Sequence, residues 1–192
     1  MQVYERPFFN IAVFRIPLKT LADLFTATPV PGLKLRSTDL DFPLQKYHTQ
    51  AGEPPMLLWS PRSNPEICAF MPSVESGDYF VTTFACKRFN IPGVAVRSTV
   101  QEVPWPINEF IAYEGGPRRR IVRAMRESTR WDFFADGEPL EFEATDLYGA
   151  RKIRNRFNRG MVLSYLRMWG SPIEDDSFWD SSDEALTFVR AE

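Results

Sequence analysis

Apolar residues in this chain fall into short blocks with two spacings, alternating and helical, and together they predict a mixed α+β fold. Phe8 to Ile16 alternates, with Ile11, Val13 and Phe14 apolar, and predicts a strand. Leu18, Leu21, Ala22 and Phe25 then switch to helical spacing, and Pro29, Pro31 and Gly32 end that helix. From Gly32 to Pro65 the chain is rich in Pro, Ser, Thr and Asp and carries only short apolar pieces, Leu33 to Leu35 and Met56 to Trp59. Irregular structure with short strands is expected there, and a stretch this long is the kind that forms a lid or binding loop.

Further on, Glu66 to Met71 is a short apolar run ending at Pro72, and Ser76, Gly77 and Asp78 suit the start of a helix carrying Phe80, Phe84 and Phe89. Gly93 opens a strand, Val94 to Val103. Ile107 to Glu114 and Arg118 to Glu127 flank Gly115-Gly116-Pro117 and predict a hairpin, since paired glycines tolerate the positive φ of tight turns. Arg130 to Ala135 predicts a further strand, Asp136-Gly137 a turn, and Leu140 to Glu143 a short extension.

The clearest periodicity lies in Leu147, Ala150, Ile153, Phe157, Met161, Tyr165 and Met168, which share one side of a helix running from about Asp146 to Trp169. Thr145 or Asp146 would cap it, and Gly170 followed by Pro172 would stop it. Arg151, Lys152, Arg154, Arg156, Arg159 and Arg167 make this segment basic, with no acid between Leu147 and Ile173. Arg154 falls inside the apolar stripe, which predicts a structural arginine paired with a carboxylate such as Glu141 or Glu143; the alternative is an anion-binding or partner-binding arginine.

Tight turns join antiparallel neighbours, so the expected fold is an antiparallel meander of about four to six strands, packed by the long C-terminal helix and shorter helices. Residues 1–192 are read as a single domain. Residues 174–192 form an acidic, aromatic-containing tail docked on it: seven acids oppose Arg190, and Phe178, Trp179, Leu186, Phe188 and Val189 are interspersed.

Length and composition support a folded chain. With 192 residues, 44% hydrophobic and 25% charged, it can bury about 70% of its unfolded surface without staples. A net charge of -2 makes any electrostatic argument local. Two cysteines, no signal-like amino terminus and no long apolar run predict a cytoplasmic protein with no membrane span.

Catalytic chemistry has few handles here. His48 is the single histidine and could act on Cys68 or Cys86, but no local signature supports a nucleophile, and one His with two distant Cys fits no common zinc spacing. Asp39, Asp41, Glu109 and Glu114 have no diagnostic spacing, and no phosphate-binding or nucleophile-elbow motif is present. No catalytic residue, cofactor or metal ligand is therefore assigned.

The expected function is non-catalytic protein binding, in the manner of a bacterial immunity or antitoxin-type inhibitor, with a protein as partner. The candidate contacts are Arg118, Arg119, Arg120, Lys152, Arg156, Arg159, Asp175, Asp176, Phe178 and Trp179. Phe178 and Trp179 serve either as anchors of the tail or as an exposed hot spot. One alternative is a hydrolase or transferase built from scattered polar residues. The other is nucleic-acid binding through Arg118 to Arg120 and the basic helix, with Trp131 or Tyr113 stacking on bases; the net charge and acidic tail weigh against it.

Overall fold

The structure, a computed structural model, describes residues 2–47, 56–72, 80–115, 118–181 and 183–191, with only the backbone of Arg118 and Arg119. Among the described residues, nine strands form one sheet: β1 (Phe8–Phe14), β2 (Leu33–Ser37), β3 (Met56–Trp59), β4 (Cys68–Met71), β5 (Gly93–Thr99), β6 (Ile107–Tyr113), β7 (Arg118–Glu127), β8 (Arg130–Asp136) and β9 (Leu186–Arg190). Their order across the sheet is β2-β9-β3-β4-β1-β5-β6-β7-β8, and every pair is antiparallel. Three α-helices accompany it among the described residues: α1 (Leu18–Ala27), α2 (Phe80–Phe89) and α3 (Arg159–Met168). The expected strand count is therefore too low.

Sequence explains which strands are central. β1 reads FFNIAVF and is buried on both faces: Phe9, Ile11 and Val13 point to one apolar cluster and Ala12 and Phe14 to the other. Such continuous apolar runs belong between two covering layers. Phe157, Val162, Tyr165 and Leu166 of the α3 region pack in the first cluster, and Leu21, Phe25, Val81 and Ala85 of α1 and α2 in the second. β8, reading RWDFFAD, is mostly exposed and lies at the margin.

The long C-terminal helix does not form. Residues Thr145–Gly149 and Ile153–Asn155 make two separate 3-10 turns, and the α-helix begins only at Arg159. Asn158 is extended, at φ -127 and ψ 172, and its side chain accepts from the amide of Met161 at 3.2 Å. An asparagine that can satisfy a free helix amide favours a cap over a helix interior, and Gly149 and Gly160 weaken helix propagation on either side. The apolar stripe consequently splits. Phe157, Met161 and Tyr165 are buried, whereas Leu147 and Met168 are 42% and 61% exposed. The expected cap at Thr145 or Asp146 is absent, because the first 3-10 turn starts after Ala144 with no side-chain cap.

The C-terminal acidic segment enters the fold. β9 is inserted between β2 and β3, pairing Leu35 with Phe188 on one side and Met56 with Phe188 on the other. Phe178 and Trp179 are fully buried around Trp59, whose ring stacks on Trp179 at 5.5 Å and whose Nε1 donates to the Phe178 carbonyl at 2.7 Å. The expected start of α2 at Ser76 to Asp78 and the residue His48 lie outside the described residues. Among the described residues, no helix is long and apolar enough to cross a membrane.

Candidate functional site

The candidate site lies where β8 meets the chain that follows it, and a buried polar network fixes that junction. Arg120 on β7 donates from Nε to both Glu143 oxygens at 3.0 and 3.1 Å, from Nη2 to Oε2 at 2.8 Å, and from Nη1 to the Gly137 carbonyl at 2.6 Å. Glu143 also accepts from the Leu140 amide at 3.0 Å and the Tyr148 hydroxyl at 2.7 Å. The Tyr148 hydroxyl lies 2.8 Å from that of Tyr165, which accepts from the Ala144 amide at 2.9 Å. Burial opposes the charge on Arg120, yet the hydrogen-bonded Glu143 carboxylate holds its pKa above the ordinary value. Burial, followed by the hydroxyl and carboxylate contacts, pushes the Tyr148 phenol well up.

The network has the position of a staple: β7, the return loop from β8 and α3 are tied at one point. Arg120 is thus not a partner contact. It, and not Arg154, is the arginine paired with Glu143.

With the loop fixed, the second 3-10 turn lies beside β8. Arg130, Trp131, Lys152, Ile153 and Arg154 line an open concavity of about 530 Å³ there. Trp131 and Ile153 in its lining are half-buried, while Arg130, Lys152 and Arg154, with neighbouring Arg151, are exposed. None of these four cations has a carboxylate within ion-pair distance among the described residues. Arg154 therefore faces solvent, contrary to its expected place in the stripe. Arg156 is tied in place: its Nε donates to the Ala150 carbonyl at 2.9 Å and its guanidinium lies 5.8 Å from the Phe133 ring centre.

The other predicted contacts are dispersed. Arg159 is structural, donating to the carbonyls of Tyr4, Arg6, Pro7 and Ser98 and to the Ser98 hydroxyl at 2.7 to 3.3 Å. Burial pushes its pKa down to about 10, which still leaves it protonated at neutral pH. Asp175 accepts from the amide and hydroxyl of Ser177 at 2.9 and 2.8 Å, which hold its carboxyl below the usual range. Asp176 accepts from Gln2 at 2.9 Å. Phe178 and Trp179 are core residues and cannot form an exposed hot spot. The side chains of Arg118 and Arg119 lie outside the described residues.

Among the described residues, the acidic C-terminal segment and the basic one share a single ion pair, Arg167 with Glu174 at 2.6 Å. Lys152, together with Arg154 in its alternative partner-binding reading, is thus the predicted contact found in the concavity. Arg130, Trp131 and Ile153 were not predicted as partner contacts there. Their signal is positional, since the last strand of a meander has no neighbour on its far side.

Catalytic candidates fare differently. Cys68 and Cys86 are both buried and free, and desolvation pushes the Cys86 thiol up to about 12 and the Cys68 thiol further. Thiols so held are protonated at neutral pH and are not nucleophiles. Glu109 bridges Arg97 at 3.0 Å and Arg123 at 3.9 Å across three strands. Among the described residues no three His, Cys, Asp or Glu side chains are grouped to hold a metal ion.

No family model matches this chain, and neither a curated protein nor a solved structure is significantly similar to it. Its class is set by the fold alone: an α+β protein on one nine-stranded antiparallel sheet, with helices on both faces.

Proposed function

We propose that this chain is a non-catalytic protein-binding domain whose contact surface is the β8 margin and the cationic shoulder of residues 151–154. The observation that carries the reading is the set of four exposed, unneutralised cations around half-buried Trp131 and Ile153. Exposed charge raises encounter rates with a partner of opposite sign, and a partly covered aromatic supplies affinity once water is excluded.

In its most specific form the reading is an inhibitor of a partner protein, of the immunity or antitoxin type. An inhibitor acts by occupying a surface and needs no reactive group of its own, and the buried thiols offer none. A nucleic-acid reading through Arg118 to Arg120 is weaker, because the Arg120 guanidinium is internal and already shared with Glu143.

Affinity capture from the native host tests the proposal. The wild-type chain should retain a protein that a folded variant carrying Arg130→Glu, Lys152→Glu and Arg154→Glu does not. Equal retention of the same protein by both would remove this surface from the interaction.

A further inference from the structure

β8 leaves one side of its backbone unpaired. Glu127 and Arg130 face each other across a two-residue turn, Ser128 and Thr129, with Ser128 at φ 54. The Arg126 amide donates to the Pro106 carbonyl, toward β6. Alternation of the antiparallel ladder then aims the backbone of Arg123 and Met125 at β8, opposite Phe134 and Asp132. The N–H and C=O groups of Trp131, Phe133 and Ala135 therefore point outward, and no described strand lies beyond them.

We propose that β8 is a strand-addition site that takes an extended acidic segment of a protein partner. The proposal rests on the protein-binding reading above and specifies its mode. An added strand would satisfy the outward donors and acceptors, while every second side chain would lie beside the Lys152 and Arg154 shoulder. Acidic side chains complement that shoulder, whose cations lack carboxylate partners among the described residues. A peptide backbone matches the alternating donors and acceptors, whereas a phosphate backbone supplies acceptors alone. The opposite sheet margin, β2, is two residues shorter than β8 and presents exposed Lys34 and Arg36, the charged side chains that blunt free strands.

The probe is a seven-residue peptide alternating glutamate and valine, matched to the seven residues of β8. Two further forms are N-methylated, one at every valine and the other at every glutamate. Calorimetry should show that the parent binds the full chain and that at least one methylated form binds about tenfold or more weakly, because its donors toward β8 are gone. Ala135→Pro, which removes one outward N–H at an exposed margin position and leaves the β7 bonds intact, should weaken the parent peptide similarly without lowering the melting temperature more than a few degrees.

If Ala135→Pro fails to fold, the methylated peptides still decide. No binding of the parent, or equal binding of all three peptides, would overturn strand addition. So would an oligothymidylate of equal charge that binds as tightly and is indifferent to Ala135→Pro. Loss of the host partner in the charge-reversed variant, with no peptide binding, would overturn strand addition alone and leave the protein-binding reading standing.

Discussion

Arg120 and Glu143 form a bidentate ion pair with side chains only 5% and 0% exposed, and both are also hydrogen-bonded to the loop that follows β8. A buried charge left without its partner is costly, whereas the pair as a whole stabilises far less than its geometry suggests. Glu143→Gln should therefore destabilise the fold by about 3 to 5 kcal/mol. Combining Arg120→Met with Glu143→Leu should cost less than the sum of the two single changes. Urea titration of the wild type and these four variants measures both quantities, and additive losses would show that the residues do not act as a pair.

Trp179 fills the core beside Trp59, and its Nε1 donates to the Ile173 carbonyl at 2.9 Å. Trp179→Ala should cost about 3 to 5 kcal/mol by removing a fully buried aromatic. Deleting residues 174–192 should be more damaging, because β9 would leave the sheet between β2 and β3. A deletion variant with an unchanged denaturation midpoint would contradict this placement.

Much of this was legible in the sequence, and what was missed has physical reasons. The β6-β7 hairpin was readable from Gly115, which does adopt φ +56. The long helix was misread because periodicity over Leu147 to Met168 outweighed Asn158 and Gly160, local signals that end and restart the chain. β9 was hidden by the acids that precede it, Asp180, Asp183 and Glu184, which made the segment read as a tail although Leu186, Phe188 and Val189 give the strand its apolar side chains. The role of Arg120 was unreadable because three adjacent arginines on a strand alternate in direction, and only the fold decides which one turns inward.

Both thiols should resist modification in the native state, because burial keeps them protonated. Iodoacetamide at pH 8 should label neither cysteine until denaturant is added. The pH dependence has a defined sign. A thiol raised from its ordinary 9.0 to about 12, as Cys86 is, contributes stability that is present below pH 9 and lost as pH rises toward 12. In that window the unfolded state has released a proton that the native state keeps. Each thiol steepens the alkaline loss by at most about 1.4 kcal/mol per pH unit, and Cys86→Ala should flatten it. Rapid native labelling would contradict the burial of these groups.

Asn158 begins α3 by accepting from the Met161 amide. Asn158→Ala should cost about 1 kcal/mol, and Asn158→Asp or Asn158→Ser should recover most of it. A melt unchanged by the alanine would mean that Phe157 and Tyr165 packing alone sets where the helix starts.

If the β8 margin with its cationic shoulder is the partner surface, amide hydrogen exchange of the full chain, with and without its captured partner, should show it residue by residue. Exchange should slow at residues 130–136 and 151–155 alone, and the protection should weaken as salt screens the exposed cations. Protection of the outer face of α2 near Phe80 and Arg88, or of the loop around Trp105, with β8 exchanging at its free rate, would contradict it.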